Sequence, residues 1–237
     1  MGKAIFQQKS DILGVGITSN CGVLTPTQLT GLGELARKLG NRSVKLTTRQ
    51  TLILFINRDC LEELKGGIAG LDLRIGVFGE VVRNIKACAG HPDFCLRANS
   101  DIMTMASTMQ DKYMDQPTPR DFKISLAGCF RGCTDPYCAD FGVIATGPGR
   151  FSIYLGGRGG SKKPVHARKI LDNISENGVE KTLAYVLDQY RAKASLKERL
   201  CSAIEKVGLK AFIPPEEMIL PFVVKDEEDD FLQFAGL

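Results

Sequence analysis

The 237-residue chain has no tryptophan, only two histidines and five tyrosines. Without interleaved aromatic side chains there is no stacking platform for single-stranded nucleic acid. A formal net charge of +4 is too small to argue for nucleic acid by itself. It suits a small anionic ligand or an acidic protein partner. No window of about 18 apolar residues occurs, so no membrane span is expected. The opening stretch MGKAIFQQKSDILGVG lacks a signal-type apolar run, and Gly2 is not followed by Ser or Thr at position six. A cytoplasmic location is therefore expected. No internal repeat is visible. The glycine cluster LGGRGG lacks the G-x-G-x-x-G spacing and its strand-to-helix context, so the chain is not expected to accept hydride from a nicotinamide.

Cysteine, by contrast, is plentiful: Cys21, Cys60, Cys88, Cys95, Cys129, Cys133, Cys138 and Cys201. In a reducing compartment clustered cysteines bind metal or do chemistry more often than they form disulfides. Cys88 and Cys95 form C-x6-C, and Cys129 and Cys133 form C-x3-C, both flanked by glycine. Two such pairs can hold an iron–sulfur cluster, which takes four thiolates in its cubane form, or zinc. Neither pair has the C-x2-C knuckle that zinc usually takes. Cys21, Cys60 and Cys201 stand alone, and a lone cysteine is most simply a buried thiol.

Hydrophobic content of 43% and charged content of 24% are ordinary for a globular protein, and the order strand–helix–strand–helix over the first 75 residues or so reads as a small α+β unit. Residues 24–39 carry apolar residues at helical spacing, with Thr25 or Thr27 as cap and Gly40-Asn41 as stop. Residues 43–57 read as one strand, and 61–73 as a short helix broken by glycines. Further on, 101–115 reads as a helix, 121–129 as a strand, 141–160 as two strands with a Gly-rich turn, and 179–208 as helix. The tail from Lys225 to Leu237 has an acidic run and an apolar end, FLQFAGL.

Taken in order, GVLTPTQLTGLGELARKLGNRSVKLTTRQTLILFI, RNIKACAG, KISLAGCFRGCTDP, DFGVIA, LGGRGG and YRAKASLKERLCSAIEKVGLKAF resemble the siroheme-dependent nitrite and sulfite reductase family. The resemblance runs from about residue 14 to residue 213, and the length resembles the small single-repeat sulfite reductases. It implies a ferredoxin-like half-domain over 1–75, a siroheme- and [4Fe–4S]-binding α/β domain over 76–215, and a tail over 216–237. It implies a [4Fe–4S] cluster on Cys88, Cys95, Cys129 and Cys133, with the Cys133 thiolate shared with the siroheme iron. Cys138 has no place in that motif and is expected to be structural.

Siroheme carries carboxylates, and sulfite and nitrite are anions, so such a site needs Arg and Lys. Six-electron reduction also consumes protons, which basic groups can relay. The family pattern places these groups at Arg49, Arg83 and Lys123. Lys45 alternates with Thr47 and Arg49 on one strand face and would reach the same site. Thr48, Asn84 and Arg131 are the further expected cofactor contacts. Lys162 and Lys163 read as solvated charges. Two departures stand out. The family usually has C-x5-C in the first pair, where CAGHPDFC has one residue more; His91 within it reads as a structural hydrogen-bonder. The family often has Lys-x-Lys before the third cysteine, where RDFK puts Asp121 at the first lysine position. A carboxylate facing the pocket would repel an anion unless Arg120 compensates or the side chain points away.

The expected function is six-electron reduction of sulfite, with nitrite as the alternative substrate. Electrons would come from a ferredoxin or a reductase subunit, in a homodimer or hetero-complex that covers the exposed macrocycle edge. A siroheme-free [4Fe–4S] electron-transfer or assembly subunit and a zinc-stapled interaction protein are the competing readings.

Overall fold

A computed structural model of the chain describes residues 2–41 and 43–225. The first unit comprises β1 (Gly2–Lys3), β2 (Ile5–Gln7), β3 (Ile12–Thr18), α1 (Pro26–Lys38), β4 (Val44–Leu46), β5 (Leu52–Asn57), α2 (Leu61–Ala69), β6 (Arg74–Ile75) and β7 (Val77–Phe78). Its sheet runs β2-β3-β5-β4, all antiparallel, with β6 also paired to β3. One face of β3 and β5 buries Leu13, Val15, Ile17, Leu52, Leu54 and Ile56 under α1 and α2, the period-2 pattern of a half-covered sheet. A capping box starts α1: the Gln28 amide donates to Thr25 Oγ1 (3.1 Å) and the Thr25 amide to Gln28 Oε1 (3.0 Å).

The second unit comprises β8 (Lys86–Ala87), α3 (Ile102–Tyr113), β9 (Ile124–Ala127), β10 (Phe141–Gly147), β11 (Arg150–Leu155), β12 (Arg168–Ile174), α4 (Glu176–Lys193), α5 (Leu200–Val207) and α6 (Glu216–Ile219). Its sheet runs β12-β11-β10-β9-β8; the β8–β9 and β9–β10 pairs are parallel and the others antiparallel. All four residues of β9 are buried, as a strand covered on both faces requires. Helix α4 buries Val179, Leu183, Val186, Leu187 and Tyr190, a stripe at i, i+4, i+7, i+8 and i+11. Burying one such aliphatic side chain is worth about 1.5–3 kcal/mol before the entropy of ordering it is subtracted. No helix among the described residues is long and apolar enough to cross a membrane.

Three expectations need correction. Residues 43–57 are two strands, not one: after β4 the chain turns at Thr47–Gln50, with the Thr51 carbonyl accepting from the Thr47 amide (2.9 Å) and Gln50 at φ +57°. The alternation of Lys45, Thr47 and Arg49 on one strand face therefore does not exist; Lys45 lies exposed on β4 while Arg49 sits in the turn. Helix α2 runs unbroken through Gly66 and Gly67. A Cβ on Gly67 would come within 2.5 Å of Leu35 Cδ2, so the glycine is there to let α1 and α2 close on each other. The helix expected over 179–208 is two helices, α4 and α5, interrupted at 194–199, where Ala194 is extended and Lys197 takes φ +67°. The tail residues 226–237 lie outside the described residues.

Buried side-chain amides join the two units. Gln110, fully buried on α3, donates to the Ser19 carbonyl (3.0 Å) and accepts from the Ile85 amide (3.0 Å). Gln50, in the β4–β5 turn, accepts from the Ala87 amide (2.9 Å) and donates to the Ala87 carbonyl (2.6 Å). It thus pairs with edge strand β8 as a strand backbone would.

Candidate functional site

The Gln50 contact fixes the turn that carries Arg49 against the segment leading into Cys88. Arg49 donates to the Asn84 carbonyl, and Asn84 Nδ2 donates back to the Arg49 carbonyl (2.7 Å). Asn84 is only 1% exposed. It positions Arg49 and lines neither of the cavities described below.

Arg49 opens onto a cavity of about 640 Å³ lined also by Phe78, Arg83, Arg120, Asp121, Lys123 and Arg199. A second cavity of about 280 Å³ shares Arg49, Lys123 and Gly160, and adds Thr48, Lys86, Ser125, Thr134, Asp135 and Cys138. Together they form a basic trough along the β8–β9 edge, walled on one side by the first unit's turn. Of the expected basic residues Arg49, Arg83 and Lys123 line it, with Thr48; Lys45 does not. Arg131 is exposed on the loop between Cys129 and Cys133 and lines neither cavity.

Arg83 lies with its guanidinium 4.8 Å from the Phe78 ring centre, a cation–π contact from β7. The buried Nε atoms of Arg49, Arg83 and Arg199 have no hydrogen-bond partner. An unpaired buried donor is costly, so three of them on residues that line one trough mark a place where an anion fits. Burial, with the Arg83 charge adding, brings Arg49 down to about 10; burial also lowers Arg83 and Lys123.

Asp121 does face this trough. Its carboxylate accepts from Arg199, lies 3.4 Å from Lys123 Nζ, and is 3.9 Å from both Arg83 and Arg120. Burial pushes its carboxyl up, but Arg199 and Lys123 outweigh that and hold it below the usual range. Arg199 in turn reaches Asp140 (2.8 Å), which is 1% exposed and also accepts from the Lys123 amide (2.9 Å). Burial raises Asp140 to about 6 despite Arg199. Arg199 was missed in the sequence because residues 179–208 read as one helix. The break at 194–199 puts it at the start of α5, aimed at Asp121 just ahead of β9, 78 residues earlier in the chain.

The cysteine loops sit at the other end of β8 and β9. Cys88 follows β8 directly, and Cys129 follows β9 after Gly128. The parallel pairing therefore delivers both loops to one edge. A Cβ on Gly128 would be 3.0 Å from Gly90 Cα, and one on Gly90 would be 3.0 Å from Cys88 Sγ; the two loops touch backbone to backbone. The Gly128 amide donates to Cys88 Sγ (3.1 Å), and the Asn99 amide to the Gly128 carbonyl (2.8 Å). Cys88, Cys95 and Cys129 are half-buried and Cys133 is exposed. Among the described residues no three His, Cys, Asp or Glu side chains converge on a single-ion site. Cys138, expected to be a structural thiol, instead lines the smaller cavity with Lys123, Ser125 and Thr134. The Asp93 amide donates to His91 Nδ1 (3.1 Å).

Two family models match the chain: a nitrite/sulfite reductase ferredoxin-like half domain over residues 6–70, and a nitrite and sulphite reductase 4Fe–4S domain over residues 78–216. The chain belongs to the nitrite and sulfite reductase family. Among curated relatives of this family, the assimilatory-type sulfite reductase of Nitratidesulfovibrio vulgaris is 24% identical over 88% of this chain and 94% of its own length. The NAD(P)H nitrite reductase of Emericella nidulans is 29% identical over 71% of this chain, which spans only 15% of that protein. Among solved structures, dissimilatory sulfite reductase I superposes with a TM-score of 0.77 at 13% identity, covering 94% of this chain and 78% of that one. Mycobacterium tuberculosis NirA gives 0.76 at 17%, covering 94% and 46%. The fold expected from the sequence, a ferredoxin-like half-domain followed by a nitrite/sulfite reductase domain, is the fold found.

Proposed function

We propose that the chain reduces a small oxyanion, sulfite in the first place and nitrite in the second, at a siroheme coupled to a [4Fe–4S] cluster. The observation that carries this reading is the basic trough with its three unpartnered buried arginine nitrogens, running alongside the strands that feed both cysteine loops. The residues present fit the groups. Four thiols of the right softness lie on two loops whose glycines allow close approach, and cations line the trough where a polycarboxylate ring and an oxyanion would bind.

Cys88, Cys95, Cys129 and Cys133 would hold the cluster, with the exposed Cys133 as the thiolate shared with the siroheme iron. Siroheme and cluster supply, when bound, the site of reduction and one-electron delivery to it. Arg49 and Arg83 bind and orient the oxyanion, because their guanidinium faces are fixed by Asn84 and Phe78 and carry no other anion at bonding distance. Lys123, which lines both cavities and is lowered by burial, is the group placed to give a proton to oxygen leaving the substrate. Thr48 on the trough wall and Arg131 on the cysteine loop would contact the macrocycle's periphery.

Electrons come from an external donor, a ferredoxin or a reductase subunit. Phe94, Leu96 and Phe130 are exposed beside Cys95 and Cys129, and Arg97 and Arg131 flank them. That surface suits an acidic redox partner or a second subunit. The test is reduced-dye oxidation by anaerobically purified protein with sulfite and with nitrite. Turnover that Arg83→Ala lowers at least tenfold supports the reading. Full cofactor content with no turnover of either anion rejects it.

A further inference from the structure

We propose that Asp121 sets the charge class of the ligand, tuning the basic trough toward a singly charged oxyanion such as hydrogen sulfite or nitrite and against a doubly charged one. The proposal rests on the reading of this trough as the oxyanion site.

The cations on the inner wall are not equally available. Arg199 is held by two carboxylates, Asp121 and Asp140. Arg120 is shared between Glu80 (3.4 Å) and Asp121 (3.9 Å). Lys123 faces Asp121 at 3.4 Å. Arg49 makes no ion pair among the described residues, and Arg83 has only the long 3.9 Å approach to Asp121. Around Asp121 five cations therefore meet three carboxylates, and of these five Arg49 and Arg83 keep the most charge for a ligand; Arg158 and Lys197 line the same cavity with no ion pair among the described residues.

Asp121 is also rigid. Its side chain is 15% exposed and four cations surround it, so it stays ionised and cannot swing out of the trough. An incoming anion feels it once per unit of its own charge. Asp121 penalises a dianion twice as much as a monoanion, while three of the five cations around it, Arg120, Lys123 and Arg199, are already engaged by carboxylates. A carboxylate needed only to hold Arg199 would be redundant, because Asp140 already does so from beneath at 2.8 Å.

The test measures equilibrium binding of nitrate and of sulfate to the full chain by calorimetry, as unreactive mono- and dianion probes. Wild type is expected to bind nitrate at least as tightly as sulfate. Asp121→Asn is expected to raise sulfate affinity relative to nitrate about tenfold, the order of one unit charge acting across a partly screened site. Asp121→Glu, which keeps the charge, should retain the wild-type ratio, and Asp188→Asn on the exposed face of α4 should leave it unchanged. An unchanged ratio in Asp121→Asn overturns the proposal and makes Asp121 a buttress for Arg199. Sulfate binding at least tenfold tighter than nitrate in wild type overturns it even if the amide variant fails to fold. Binding of neither anion to any form removes the oxyanion-site reading itself, a failure distinct from an unchanged ratio.

Discussion

Replacing Gln50 by Ala tests how the fold reaches the site without touching a ligand. Gln50 makes two hydrogen bonds to Ala87 of β8, at 2.9 and 2.6 Å. Each bond contributes about 0.5–1.5 kcal/mol net. The site is half-buried, so water can take over part of the loss, and the total should be about 2 kcal/mol. For a chain of this size that corresponds to a fall in Tm of roughly 4–8 °C. The backbone adds nothing, since Ala at φ +57° bears the same strain as Gln. The same change frees the turn that presents Arg49, so anion affinity should fall about three- to tenfold although Gln50 contacts no ligand. Urea melts and calorimetric anion titrations read the two effects separately. An unchanged anion affinity in a protein destabilised as expected would refute the claim that this turn positions Arg49.

Other expectations concern the site directly. Arg49→Gln should lower anion affinity at least tenfold, measured by the same titration. Cys129→Ser should lose bound iron and acid-labile sulfide, while Cys138→Ser should keep both, as metal analysis of anaerobic preparations would read. Asp140 is raised from 3.8 to about 6 in the folded chain. The folded state therefore holds its proton more tightly than the unfolded one. The stability it contributes is complete below about pH 4 and is lost as pH rises through 6, a change on the order of 3 kcal/mol at most. Urea melts between pH 4 and pH 7 should show that slope in wild type and a flatter profile in Asp140→Asn.

That the two cysteine pairs lie on neighbouring loops was legible in their spacing and in the glycines that mark where the loops approach. Strand β9 and helix α3 were legible from apolar runs and periodicity. The β4–β5 turn was not, because TTRQT is β-branched and strand-like by composition. The turn closes on Thr47 Oγ1, which accepts from the Arg49 and Thr51 amides (3.2 Å each), and Gln50 then docks it on Ala87, 37 residues away. Arg199 was hidden for a related reason: local helical propensity runs through 194–199, and only the packing of α5 breaks it. The family resemblance anticipated that position 121 matters, but not that four cations from three segments converge on the aspartate there. Charge balance in this trough is a property of the assembled fold.

The most direct test of the coupled-centre reading is the visible spectrum of anaerobically purified protein, with iron and acid-labile sulfide counted on the same sample. Siroheme bands with about four further irons and about four sulfides per chain are the predicted result. A cluster spectrum without macrocycle bands, persisting when siroheme is supplied during expression, would contradict it.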